Sequence, residues 1–258
     1  EAGNKTFSQD WLSQNPQIFV LDNPQSDSTS ATLTSFQLSA SFDNDSDRPV
    51  INVSGIATDD VAGVESVYLR LNRPGGGNID KWLAERQSSL SLEFARNIAL
   101  TTQFTPGEYS VNYLRLVDAA KNESTLGASD IDAIIEGASA INVYFPSEDE
   151  VNEGKTYVEG TSKDDFVFGS NASDDTLVSG SGDDEIYSGD GDDEVDAGDG
   201  DDTIVGGSGR GDDIYHGGSG FDSVVYASAT APIVVDLKRA LADGSDIGTD
   251  QLSSIETV

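Results

Sequence analysis

Cysteine and methionine are absent from this 258-residue chain, and histidine occurs once, at His216. The absence of cysteine excludes disulfides and thiolate chemistry. The lone imidazole has no nucleophile motif beside it and no H-E-x-x-H helix around it, so catalysis is not expected. Basic residues are few: 14 Lys and Arg stand against 47 Asp and Glu, a formal charge of −33. So acidic a surface repels nucleic acid and anionic membranes unless cations intervene. No apolar run approaches the roughly 20 residues of a spanning helix. The chain opens at Glu1 without a signal-peptide core and reads as a piece of something longer.

Glycine and aspartate, by contrast, are abundant and periodic. Ser179 to Val205 divides into three nine-residue units, SGSGDDEIY, SGDGDDEVD and AGDGDDTIV. Each unit has Gly at its second and fourth places: Gly180/Gly182, Gly189/Gly191 and Gly198/Gly200. Each has Asp at its sixth place (Asp184, Asp193, Asp202) and a branched apolar residue at its eighth (Ile186, Val195, Ile204). The pattern decays on both sides. Gly160–Phe168 keeps Asp165 and Val167 but has Lys163 where Gly is expected, and Gly169–Val178 carries one extra residue around Asp175 and Leu177. Downstream, Gly206-Gly207-Ser208-Gly209 precedes an insertion near Arg210-Gly211, then Asp212/Asp213 and Ile214. Gly217 to Val224 closes the series with Gly218, Gly220 and Asp222. A disordered acidic linker would not hold aliphatic residues at one register through seven units.

The Gly/Asp part of each unit is turn, since Gly supplies positive φ and close backbone approach. The following three residues form a short strand. Two units make one turn of a parallel coil, with the eighth residues inside and the aspartates stacked along the rim. That stack is repulsive unless a cation with an oxygen shell occupies it, and Ca²⁺ takes six to eight oxygens. The fifth-place acids Asp183, Asp192 and Asp201 are expected to face solvent.

These units resemble the RTX (repeats-in-toxin) nonapeptide of proteins exported by bacterial type I secretion. The resemblance implies a calcium-binding parallel β-roll. Its carboxylate ligands would be Asp165, Asp175, Asp184, Asp193, Asp202, Asp212 or Asp213, and Asp222. Carbonyls of Gly180, Gly182, Gly189, Gly191, Gly198, Gly200, Gly207, Gly209, Gly218 and Gly220 would supply the rest.

From Thr32 to about Phe145 short alternating runs recur between Gly, Asp and Pro punctuation, the texture of a β-sandwich. The runs are Phe36–Phe42, Val50–Thr58, Glu65–Leu71, Leu90–Phe94, Ile98–Phe104, Glu108–Val117 and Ala140–Phe145, with a further strand at Gln17–Leu21. Between Val111 and Leu114 the apolar parity switches, which predicts a bulge. Ser129 to Ile135 reads as one capped helical turn. Leu33-Thr34-Ser35-Phe36, Ala57 to Val64, Pro106 to Tyr109 and Val117 to Asn122 resemble, in that order, bacterial immunoglobulin-like modules. Lys121 replaces the Gly of their usual D-x-x-G-N ending. Asp59/Asp60 follows one strand and Asp118 another, and an immunoglobulin-like topology would bring them to one pole, with Asn122 nearby, as a second calcium site. Asp43-Asn44-Asp45-Ser46-Asp47 mimics an EF-hand start, but Arg48 and Ser54 stand where Gly and Glu are required. Trp82, after Gly75-Gly76-Gly77, reads as core or hairpin packing, with sugar stacking from an exposed loop as the other option.

Residues 1–146 are thus expected to be an immunoglobulin-like sandwich, 147–159 an acidic connector and entry strand, 160–226 the β-roll, and 227–258 a flank. That flank, with Asp250, Leu252, Ile255 and Glu256, resembles segments that interrupt RTX arrays; its run Ile233–Leu237 is expected to cover the open end. The chain is all-β. The expected role is that of a non-catalytic fragment of a secreted or cell-surface protein, an adhesin, with the carboxy-terminal appendage of an exported enzyme as the alternative. Its partners would be calcium, the type I secretion apparatus during export, and an unidentified extracellular glycan or protein ligand.

Overall fold

The computed structural model describes residues 27–43, 48–101, 104–135, 137–146, 151, 155–207 and 211–258. The expected strand at Gln17–Leu21, Gly209 and most of both the EF-hand-like loop and the acidic connector lie outside them. Two architectures follow one another. In the first, β1 (Thr32–Asp43), β2 (Arg48–Thr58) and β5 (Ser91–Ala99) form an antiparallel sheet in the order β1-β2-β5. A second sheet contains β3 (Val64–Asn72), β4 (Asn78–Ala84), β6 (Gly107–Asp118), β7 (Glu123–Leu126) and β8 (Ala140–Tyr144). Alternation drives the layering: Phe36, Ile51 and Val53 of one sheet share a core with Leu69, Leu71, Leu114 and Leu116 of the other. Each such side chain, fully buried, contributes about 1.5–3 kcal/mol.

The parity switch in β6 is a bulge. Arg70 opposes Tyr113 and Leu71 opposes Val111, leaving Asn112 as the extra residue. Tyr109, Val111, Leu114 and Leu116 are consequently all buried. The helix α1 (Ala128–Ile134) starts one residue earlier than expected, with Asp130 Oδ2 accepting the Gly127 N–H at 2.8 Å, and buries Ile131.

Two expectations about strands need correcting. The expected Leu90–Phe94 run and the start of the expected Ile98–Phe104 run fall in one strand, β5, which ends at Ala99, because Ala95-Arg96-Asn97 is merely its exposed middle. The segment after the three glycines, where no strand was expected, is β4, hairpinned to β3, with Ile79 and Leu83 buried and Trp82 on the outer face. There Trp82 packs edge-on against Tyr68 at 4.9 Å, and Arg115 lies over both rings.

The second architecture is a parallel coil. One wall runs β8, β10 (Asp165–Phe168), β12 (Glu185–Tyr187), β14 (Thr203–Val205), β16 (Ser223–Val225). The other runs β9 (Lys155–Glu159), β11 (Asp174–Ser181), β13 (Glu194–Asp199), β15 (Ile214–Ser219). All these pairings are parallel and in register, for example Ile186 with Ile204 and Leu177 with Val195. Val167, Leu177, Ile186, Val195, Ile204, Tyr215 and Val224 fill the interior, each at most 1% exposed. Tyr215, not Ile214, is the inward residue of the irregular unit, because the register counts from Asp213.

β8 belongs to both architectures. It pairs antiparallel with β6 and parallel with β10, so one nine-stranded sheet passes from sandwich to coil. Phe168 of β10 is fully buried in the sandwich core, stacked on Tyr187 at 4.9 Å and 6.1 Å from Phe42. Lys163, the residue in place of a repeat glycine, pairs with Glu108 of β6 at 2.9 Å.

In the flank, β17 (Ile233–Asp236), β18 (Leu241–Gly244) and β19 (Gly248–Ser253) form an antiparallel meander. It is β19 that pairs in parallel with β15, not the Ile233–Leu237 run as expected. β17 lies at the far edge, with Val234 68% and Leu237 43% exposed.

Candidate metal centre

Each turn of the coil returns an aspartate onto the one before it, and the sixth-place residues build two ladders. In the first, the main-chain N–H of Asp165 donates to Asp184 Oδ1 at 2.8 Å. Asp184 N–H donates to Asp202 Oδ1 at 2.8 Å, Asp202 N–H to Asp222 Oδ1 at 3.0 Å, and Asp222 N–H to Glu256 Oε2 at 2.8 Å. In the second, Asp175 N–H donates to Asp193 Oδ1 at 2.8 Å, Asp193 N–H to Asp213 Oδ1 at 2.9 Å, and Asp213 N–H to Asp250 Oδ1 at 3.2 Å. The steps are 18 residues in the regular turns, 19 from Asp165 to Asp184, where one unit carries an extra residue, and 20 where either ladder crosses the insertion, which therefore adds two residues.

The two flank acids Asp250 and Glu256 extend the ladders as last rungs, a role the sequence reading did not assign them. The signal was present: Asp250-Gln251-Leu252 repeats the Asp-x-aliphatic core of the regular units, without the nine-residue spacing. In the irregular unit, Asp213 is the buried ladder member and Asp212 the exposed one. Asp212 joins a separate outer ladder of fifth-place acids. There Asp183 Oδ1 accepts the Asp201 N–H at 3.0 Å, Asp192 Oδ1 the Asp212 N–H at 2.9 Å, and Asp212 Oδ1 the Thr249 N–H at 2.9 Å. The fifth-place acids are exposed, as expected, but they also tie successive turns together.

The inner carboxylates divide by what becomes of their second oxygen. Asp184, Asp193, Asp202 and Asp222 each keep Oδ2 buried with no hydrogen-bond partner. The other rungs are closed by protein groups. Asp165 Oδ2 accepts the Thr161 N–H at 2.5 Å, and Asp175 Oδ2 the Ser170 N–H at 2.5 Å. Tyr215 Oη donates to Asp213 Oδ2 at 2.7 Å, and Tyr226 Oη to Asp250 Oδ2 at 2.7 Å. Thr156 Oγ1 closes Asp175 Oδ1.

Burial and like charge make the open rungs costly as anions. Burial, reinforced by the Asp213 and Asp175 carboxylates, pushes Asp193 up to about 8. Burial, reinforced by Asp202 and Asp165, takes Asp184 to about 7, and burial with Asp222 takes Asp202 to about 6. Asp222 is raised by burial and then by Glu256.

The glycines shape the rim. Gly180, Gly182, Gly189, Gly191, Gly198, Gly200, Gly218 and Gly220 all have positive φ; Gly207 does not, but the Gly189 carbonyl lies against it. At Gly198 a Cβ would sit 2.0 Å from the Gly180 oxygen. At Gly217 it would sit 2.0 Å from the Ser254 carbonyl oxygen and 2.6 Å from Asp222 Oδ2. A main-chain oxygen and an unpartnered carboxylate oxygen thus converge on the space that glycine leaves. This donor set is all oxygen, anionic and short of a counter-charge, which fits a hard dication. Asp184, Asp193, Asp202 and Asp222 would hold it, with turn carbonyls as neutral ligands. Bound calcium would cancel the stacked charge and cross-link consecutive turns. The only imidazole is spent elsewhere, since His216 Nδ1 contacts Ser253 Oγ.

The family model for the RTX calcium-binding nonapeptide repeat (four copies) matches residues 170–204, 178–211 and 208–224. No curated protein matches the chain. The matched repeats, wound as in-register parallel turns, are an RTX β-roll, and they bind several calcium ions.

Proposed function

We propose that the chain is a non-catalytic, calcium-triggered segment of a large protein exported by type I secretion, of the cell-surface adhesin kind. The observation that carries this is the row of four buried carboxylate oxygens without partners, at Asp184, Asp193, Asp202 and Asp222. Without a cation the folded roll must bury charge against charge, so inside a calcium-poor cell the segment stays open for export. Extracellular calcium modules work with dissociation constants on the order of 10⁻⁴–10⁻³ M, and binding then becomes folding free energy.

The adhesin setting is supported by the joint between the two architectures. Main-chain hydrogen bonds run without a break from β6 through β8 to β10. A force along the chain passes through this sheet, not through a loose tether. The strand order, β1-β2-β5 facing β4-β3-β6, supports an immunoglobulin-like reading of the sandwich. A cleft of about 690 Å³ beside β1, β2 and β5 has Glu93 as the sole titratable group among its lining residues, which favours a non-catalytic role. The test is hydrogen exchange with mass spectrometry on the full chain during calcium titration. Peptides from 170–224 should gain protection together as calcium is added; protection already complete in chelator would overturn the trigger. Coding sequence upstream of Glu1 separates the settings, with tandem sandwich modules supporting the adhesin and a catalytic motif the enzyme appendage.

A further inference from the structure

We propose that the sandwich holds a hard divalent cation of its own, calcium by its chemistry, between Asp27, Asp59 and Asp60. The site lies where the chain approaches β1, against the β2–β3 loop. Ligand atoms from the three carboxylates all lie within 4.8 Å of one another.

The surrounding bonds aim these carboxylates but leave their charge. Asp27 accepts from the Thr29 N–H at 2.9 Å, the Thr29 hydroxyl at 2.7 Å and the Ala62 N–H at 3.1 Å. Asp59 Oδ2 accepts the Gly63 N–H at 2.7 Å and the Val61 N–H at 3.2 Å. The same Thr29 hydroxyl lies 2.5 Å from Asp60 Oδ1, so its one proton is shared between Asp27 and Asp60. These donors are neutral, so three negative charges stay crowded at one pole. Asp59 is only 9% exposed, and its Oδ1 is buried with no partner. A buried carboxylate oxygen left unsatisfied is costly, and a cation shared with Asp27 and Asp60 satisfies it. The cluster holds no nitrogen or sulfur ligand, which selects a hard ion over a transition metal.

Asp118, expected to share a pole site with Asp60, stays out of this cluster. Its Oδ1 accepts the Asn122 N–H and its Oδ2 the Asn122 amide, both at 2.8 Å. The Asn122 amide also reaches the carbonyls of Asp27 at 3.2 Å and Thr29 at 2.9 Å. Asp118 is therefore a positioning residue: through Asn122 it holds residues 27–29 against the pole. The cation completes that clasp by joining the approach to β1 to the β2–β3 loop.

The direct test is a long-wavelength anomalous difference map from crystals of the full chain grown with calcium. A peak is expected among the three aspartates, at about 2.3–2.6 Å from Asp59 Oδ1. Peaks in the roll with none here overturn the proposal; a peak here with none in the roll overturns the roll assignment instead. In solution, native mass spectrometry of Asp60→Ala, an exposed position, should count one calcium fewer than the unaltered chain. An unchanged count also overturns the site.

Discussion

Tyr215 Oη donates a 2.7 Å hydrogen bond to Asp213 Oδ2, and this places a protein hydroxyl where Asp184, Asp193, Asp202 and Asp222 have nothing. The tyrosine occupies the inward eighth place and reaches back two residues to its own rung. Tyr226, four residues past Asp222, closes Asp250 Oδ2 instead from the end of the opposite wall, 24 residues away in sequence. The roll therefore has open rungs in its middle and rungs closed by tyrosine where the repeat becomes irregular.

Tyr215→Phe should leave Asp213 Oδ2 buried without a partner. A loss of about 1–3 kcal/mol is expected, the cost of an unsatisfied buried acceptor. Chemical denaturation in saturating calcium measures it. A stability equal to that of the parent chain would show that the Tyr215–Asp213 bond does not support the turn.

Open and closed rungs should also differ in metal count. Asp193→Ala removes a carboxylate whose Oδ1 accepts the Asp175 N–H and whose Oδ2 is buried without a partner. Asp165→Ala removes one whose second oxygen is already held by Thr161. Native mass spectrometry should show Asp193→Ala losing bound calcium and Asp165→Ala losing none or fewer. Equal losses would contradict the division.

The pH dependence follows from the raised carboxyl groups. Asp193 at about 8, Asp184 at about 7 and Asp202 at about 6 hold protons when folded that an unfolded Asp has already released. Between about pH 4 and pH 8 the folded state binds more protons, so the stability of the calcium-free roll falls as pH rises. Calcium-stripped chain should thus gain exchange protection in 170–224 on going from about pH 8 to about pH 5. Protons and calcium compete for the same oxygens, so the calcium midpoint should rise over that range. A midpoint independent of pH would rule out ionisation of these rungs as the step coupled to binding.

How much of this was readable beforehand depended on period. Seven inward positions were expected and six hold, because nine-residue spacing fixes strand, turn and rim together. The seventh, Tyr215, was displaced to Ile214 because the insertion broke the count and only the distance from Asp213 restores it. Asp250 and Glu256 carried the right residue types but no period, so their place on the ladders emerges only from the pairing of β19 with β15. β4 was hidden by the three glycines before it, and Asp27 by its distance in sequence from Asp59 and Asp60. Nothing in the order of residues announces that β8 serves two architectures within one sheet, since an antiparallel edge and a parallel edge demand the same alternation.

The shared strand and the position of Phe168 predict coupling between the two architectures. Phe168 is fully buried in the sandwich core while its neighbour Val167 lies in the roll core. Phe168→Ala should cost about 3–5 kcal/mol, in the range of large-to-small aromatic deletions. Peptides from β6 and β8 as well as from β10 and β12 should then lose exchange protection. Loss confined to the roll would mean that the two cores are independent.

The end of the chain offers the sharpest test of the ladder. β19 covers the β15 edge in parallel, and Asp250 and Glu256 accept the N–H groups of Asp213 and Asp222. On the other wall, Ser223 bridges to Thr257, and the Val224 N–H donates to the Thr257 carbonyl at 3.1 Å. Leu252 and Ile255 close the apolar interior beside Tyr226. Removing residues 232–258 would expose these N–H groups, a strand edge and an open apolar core in one step. Exposed parallel edges recruit other chains. Calcium bridges neighbouring turns and has no partner turn beyond the last one, so it does not substitute for the flank. The truncated chain should therefore need more calcium to reach half protection, and should self-associate in sedimentation at the calcium level where the full chain is folded. Folding at the same calcium midpoint, as a monomer, would show that the flank is not needed to finish the roll.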